Sequence, residues 1–288
     1  MKLPVEKEKI LNEIVADLSG IENIIAVVLG GSFATGQATE KSDLDIGIYY
    51  YENAPFDLAA VKSIAEKYAV EKPTVTGFYE WGPWVNGGAW IETRCGQVDF
   101  IYKNIDHIKA TIAKARNGEW ENHFEQQPPF GFSSVFFLAE TKHCIPLYDN
   151  RGVLAELKAE VETYPPKLKT SIIQQSLWLA EFTILHAVIF FKKRDIYNTA
   201  GCLTRAVKYI VNALFAINEI YPMTDKRAID ILEKSDQHPE NLRERIEDIL
   251  CVQKEMLIEN IESLKALFQE TVSLSNGLYN SVYHFKKE

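Results

Sequence analysis

Asp43 and Asp45 stand one residue apart in the run SDLDIGIYY, in a chain of net charge −9. Side chains alternate along a strand, so residues two apart face the same way. The two carboxylates therefore point together, while Leu44, Ile46 and Ile48 face a core. Acids so close repel each other unless a cation sits between them. A third acid, Asp99 in GQVDFIY, is flanked by Val98 and Phe100. If its strand lies beside that of Asp43–Tyr50, three carboxylates converge. Three convergent oxygen donors describe a Mg²⁺ site, and two Mg²⁺ ions can share it when substrate phosphates complete their shells.

Just upstream, Gly30-Gly31-Ser32 closes the apolar run IIAVVL. Glycine lets the backbone approach a ligand closely. If Phe33–Thr35 opens a helix, unpaired N–H groups and the helix dipole favour a phosphate there, and the Ser32 hydroxyl adds a donor. One short segment thus offers a phosphate cradle followed by a metal cluster.

These residues need strands to carry them. Ile24–Leu29 is β-branched and short enough for a buried strand. Leu44–Tyr50, Thr74–Tyr79, Ala89–Cys95 and Gln97–Tyr102 read as further strands. Glu6–Leu18 and Phe56–Tyr68 carry helical periodicity, and Asp106–Arg116 reads as a helix with Asp106 as its N-cap. Beyond Asp149 the strands stop. Lys167–Lys193, Ala200–Tyr221, Asp225–Glu233, Leu242–Val252 and Glu255–Phe268 are helical in pattern, punctuated by Gly152, Pro165-Pro166, Pro222 and Pro239. The expectation is an α+β fold: a mixed-sheet domain over residues 1–149 with flanking helices, then an all-α bundle over 150–288. Residues 118–146 give no clear pattern.

The combined pattern resembles the nucleotidyltransferase superfamily built like DNA polymerase β. It comprises Gly30-Gly31-Ser32, then Ser42–Asp45, then a lone acid on a later strand, all within about Val27–Tyr102. By architecture it is most similar to the small-molecule enzymes of the aminoglycoside and lincosamide type. The resemblance implies that Gly31 and Ser32 bind the β- and γ-phosphates of ATP or another nucleoside triphosphate. It implies that Asp43 and Asp45 hold both metals, and that Asp99 holds the catalytic metal and can draw the acceptor proton. The implied reaction moves a nucleoside monophosphate, AMP for ATP, onto a hydroxyl and releases pyrophosphate. Relatives that modify antibiotics use a separate carboxylate base, for which no motif stands here; Glu140, falling after the third acid, is the candidate.

In TRAVKYIVNALFAIN, Arg205, Lys208 and Asn212 share one helical face. Lys208 is the residue expected to meet the triphosphate from the second domain. Trp81, Trp84 and Trp90 surround the glycine-rich WGPWVNGG, where aromatics can stack on a flat ligand or simply fill a core.

Composition narrows the partners. With 31 basic against 40 acidic side chains, there is no cationic footprint for a nucleic-acid polymer, and a small acceptor, a cationic one included, suits the charge. Cys95, Cys144, Cys202 and Cys251 form no C-x-x-C pair, as expected of reduced thiols in a cytoplasmic protein. MKLPVEKEKI has no apolar signal core, and the ten-residue apolar run Phe182–Phe191 is short of the roughly 20 needed to cross a membrane. Among partners, the expectation includes a second copy of the chain in a homodimer. Two rival functions remain at this point: transfer of the nucleotide to a protein side chain, and nucleotide-binding regulation without turnover.

Overall fold

A computed structural model describes residues 3–283 and 285. The chain divides into two compact units: residues up to Ala113 together with Glu121–Thr163, and Lys114–Trp120 together with Tyr164 onward. The first unit thus extends past the expected Asp149 boundary, and a short strip of the first half belongs to the second unit.

The first unit opens with α1 (Val5–Ser19), whose Ile10, Leu11, Ile14 and Leu18 recur at helical spacing and are buried. Next come β1 (Ala26–Leu29), the short α2 (Gly31–Ala34) and β2 (Leu44–Tyr50). In α3 (Leu58–Tyr68), the Asp57 carboxylate caps the first turn by accepting from the Ala59 amide at 2.9 Å. The strands β3 (Thr74–Val75), β4 (Gly88–Thr93) and β5 (Gly96–Asn104) lead into α4 (Ile105–Arg116). A two-stranded ribbon of β6 (Asn122–His123) and β7 (Phe132–Ser133) precedes α5 (Val135–His143), β8 (Ile145–Asp149) and α6 (Val153–Val161).

The main sheet has six strands in the order β3-β4-β5-β2-β1-β8. It is mixed: β2 and β5 run parallel, while the other pairs are antiparallel. One face carries Val27, Leu29, Leu44, Ile46, Ile48, Val98 and Phe100, and this is the buried core against α1 and α3. The opposite face carries Asp45, Gly47 and Tyr49 beside Asp99, Ile101 and Lys103.

The second unit is helical. α7 (Pro166–Lys192) and α8 (Ile196–Ile217) form a hairpin, followed by α9 (Ala228–Leu232), α10 (Leu242–Leu250) and α11 (Leu257–Leu274). By length and mean hydropathy alone, α7 and α8 could each cross a membrane; 56% of each apolar stretch is buried within the structure. Their inward residues, such as Ile173, Leu177, Leu203 and Ile210, are fully enclosed. The first unit is thus a mixed α/β sheet domain, and the second is a helical C-terminal region.

Three local expectations change. Asn104, not Asp106, caps α4: its side-chain oxygen accepts from the amides of Asp106 (2.9 Å) and His107 (3.3 Å). Asp106 instead accepts from the amide of Glu52 at 2.9 Å. The strand expected over 74–79 is only Thr74–Val75, because Tyr79 turns the chain at φ 64°. The unplaced stretch 118–146 supplies α5 and the beginning of the sixth strand, β8.

Candidate active site

β1 runs antiparallel to β2, so its C-terminal end meets the start of β2, with Leu29 opposite Ile46. The chain leaves β1 through Gly30, whose amide donates to the Asp45 carbonyl at 2.8 Å. Gly31 follows at φ +55°, a conformation that side chains resist. A Cβ on Gly31 would lie 1.8 Å from Asp45 Oδ2. The residue must be glycine for two reasons, its backbone angle and the Asp45 carboxylate lying against it. The amides of Gly31, Ser32 and Phe33 open α2, where a helix has no internal acceptors for its first N–H groups.

Asp45 and Asp99 are register partners across the parallel β2–β5 pair. Neighbours on one face of a sheet are about 5 Å apart, so the carboxylates stand side by side, each half-buried. Gln97, two residues back on the same face, donates to Asp99 Oδ1 at 2.8 Å. The register does not reach Asp43. It precedes the first ladder residue, Leu44, so no strand pairing fixes its direction, and it is exposed. Among the described residues, no three His, Cys, Asp or Glu side chains are close enough to share one metal ion. Strand alternation thus yields a carboxylate pair with Asp43 at its exposed end. Paired carboxylate oxygens suit a hard divalent cation better than a soft one.

The segment leading to Asp43 is tied down by Lys7 of α1. Its ammonium donates to the carbonyls of Ser42 (2.5 Å) and Glu40 (3.3 Å) and lies 5.8 Å from the Phe33 ring centre. Lys7 is only 8% exposed. Sequence reasoning passed over it, yet a signal was there: residue 7 falls on the same stripe as Ile10, Leu11, Ile14 and Leu18, and a lysine on an apolar stripe asks for an acceptor.

Glu140 lies elsewhere on the carboxylate face. It is ion-paired with Lys103, whose Cα lies four residues, roughly 13 Å at the rise of a strand, beyond that of Asp99 along β5. Lys208 sits on α8 in the helical unit, where its ammonium is bonded to the Asp225 carboxylate; the two side chains are 12% and 16% exposed. Arg205 on the same helix lies over the Tyr209 ring. Of the three tryptophans, Trp84 is buried among His107, His123, Phe132 and Phe137. Trp81 and Trp90 stack on each other, with centres 4.5 Å apart and planes at 23°.

Comparison with known protein families supplies the deciding observation. Residues 8–80 match the nucleotidyltransferase domain. The matched range takes in α1 from residue 8 onward, Gly31, Ser32, Asp43 and Asp45; it leaves out Lys7 and stops before Asp99. The glycine–serine turn and the acids Asp43 and Asp45 therefore lie in a stretch similar to a nucleotidyltransferase domain, a domain that supports nucleotidyl transfer. Among solved structures, the chain is similar to the crystal structure of a nucleotidyltransferase-like protein from Exiguobacterium sibiricum. The two are 8% identical with a TM-score of 0.46, and the match covers 94% of this chain and 76% of that one. No curated protein sequence matches.

Proposed function

We propose that the protein is a Mg²⁺-dependent nucleotidyltransferase that moves a nucleoside monophosphate, AMP when ATP is the donor, onto a hydroxyl of a small molecule. The observation that carries this reading is the lateral pairing of Asp45 with Asp99 beside the Gly30–Ser32 turn. Asp43, Asp45 and Asp99 would hold divalent ions, whose chemistry would be neutralisation of the triphosphate charge. Gly31 and Ser32 bind the β- and γ-phosphates through backbone amides and the serine hydroxyl. Lys7 keeps the 40–42 segment in place so that Asp43 can join the pair. Asp99, oriented by Gln97, receives the proton of the attacking hydroxyl. The new bond joins the acceptor oxygen to the α-phosphorus, the bond from that phosphorus to the bridging oxygen breaks, and pyrophosphate leaves. Catalysis here is positioning and charge neutralisation rather than covalent chemistry on the protein.

The test is pyrophosphate release from ATP with Mg²⁺ across a panel of hydroxylated acceptors, paired with calorimetric binding of ATP. Asp45→Asn should lower turnover by at least about 100-fold and leave the melting temperature near that of the parent. Release equal in the parent and in Asp45→Asn would overturn the reading.

A further inference from the structure

Beyond the carboxylate pair, the next strand outward from Asp99 is β4, and the residue directly opposite Asp99 is Trp90. Directly opposed residues on an antiparallel pair have Cβ atoms about 5 Å apart and share a face. The indole therefore stands beside the Asp99 carboxylate. Its strand neighbours Ala89 and Ile91 are fully buried on the other face, yet Trp90 is 47% exposed. Trp81, from the loop preceding β4, stacks on it nearly in parallel. Burying one face of an indole against another ring fixes its plane and leaves a flat apolar surface facing outward. The packed tryptophan of this region is Trp84; the Trp81–Trp90 stack does no comparable core filling.

The order across the sheet gives this surface a role. Starting at the glycine–serine turn at the end of β1, one meets Asp45 on β2, Asp99 on β5 and Trp90 on β4. In-line transfer places the leaving pyrophosphate and the entering hydroxyl on opposite sides of the phosphorus. With the β- and γ-phosphates on the turn, the hydroxyl enters from the Asp99 side, where the indole stack stands. Resting on the function proposed above, we infer that the Trp81–Trp90 stack is the acceptor platform, and that the acceptor carries its hydroxyl on a planar aromatic or heteroaromatic ring. A flat ring laid on Trp90 holds its hydroxyl over Asp99. A saturated polyol gains less from the same surface.

The test uses the full chain and needs no turnover. Ligand-observed NMR saturation transfer is measured with benzyl alcohol, salicyl alcohol and pyridoxine as ring probes, and with cyclohexylmethanol and ethanolamine as non-planar and cationic probes. At least one ring probe should bind better than both others. Its affinity should fall roughly 5- to 10-fold in Trp90→Ala, the worth of one stacking contact, and survive in Trp90→Phe. Trp81→Ala, which keeps Trp90, should weaken binding less than Trp90→Ala. Calorimetric affinity for ATP should be unchanged in all three variants. The inference is overturned if no ring probe binds, if ring probes bind Trp90→Ala as they bind the parent, if ethanolamine is preferred, or if Trp90→Ala loses ATP instead, which would make the stack a nucleobase platform. Failure of the underlying function reads differently: the parent itself would then bind neither ATP nor inorganic tripolyphosphate.

Discussion

Gly31 is the residue on which the most geometry turns. Its positive φ and the Asp45 oxygen 1.8 Å from where a Cβ would stand are separate constraints on the same atom. Gly31→Ala must rotate the backbone, displace the Asp45 carboxylate, or both. The backbone term alone costs about 1–2 kcal/mol. The displacement strikes the carboxylate paired with Asp99. Gly31→Ala is therefore expected to lower pyrophosphate release by about 10-fold or more, with only a modest fall in melting temperature. If activity and melting temperature both stay at the parental level, the carboxylate does not need its present place. The glycine and the acids were legible as a pattern because both follow from short-range rules, strand alternation and the absence of a side chain. The contact between Gly31 and Asp45 was not, since it depends on β1 and β2 pairing end to end.

Elements make that pairing possible, and two ties on α1 hold the elements. Lys7 binds the carbonyls leading into β2. Lys7→Met keeps the apolar stem and removes the donors that the part-buried carbonyls of Glu40 and Ser42 accept, at a cost of about 1 kcal/mol. The expected result is a lower denaturation midpoint together with reduced turnover; a variant with neither change would show that the 40–42 segment positions itself. At the far end of α1, Asp17 accepts from Lys67 Nζ (2.6 Å) and Tyr68 Oη (2.7 Å) at the end of α3. The Lys67 bond, with that of Tyr68, holds the Asp17 carboxyl below the usual carboxylate range. A depressed carboxylate contributes stability above its unfolded value, near pH 4, and loses it as the pH falls through its folded value. Asp17→Asn should therefore flatten the stability profile below about pH 4 and leave its slope near neutrality unchanged, as read by thermal melts across pH. Strands and helices with one wet face were readable from periodicity, as in α1 and β2. The helix α5 was not: its Val135–Ala139 is buried on every side, so no polar face marks the period. Nor was β8, whose Pro146 reads as a breaker although an outer strand of a sheet tolerates it.

At the scale of the molecule, each unit has its own fastening. In the helical unit, Glu181 lies in the middle of α7 with no exposed surface. It accepts from the Tyr279 hydroxyl and from the amides of Val282 (3.0 Å) and Tyr283 (2.7 Å). The carboxylate thereby fastens the segment after α11 onto α7. Glu181→Ala would strand these donors and is expected to cost about 3 kcal/mol, with Glu181→Gln costing less because it keeps one acceptor. Denaturant titration followed by circular dichroism measures both; equal stability of Glu181→Ala and the parent would mean that the fastening is idle. The strip Lys114–Trp120 reaches the same unit from within the first half of the chain. There Gly118, at φ +84°, leaves room for only 3.0 Å between an added Cβ and the Lys167 carbonyl. A polypeptide emerges from the ribosome N-terminus first, so this strip is synthesised well before the α7 residues it rests against. It must wait, unsheltered, until roughly fifty more residues have followed, and no single nick by a protease can afterwards part the two halves cleanly.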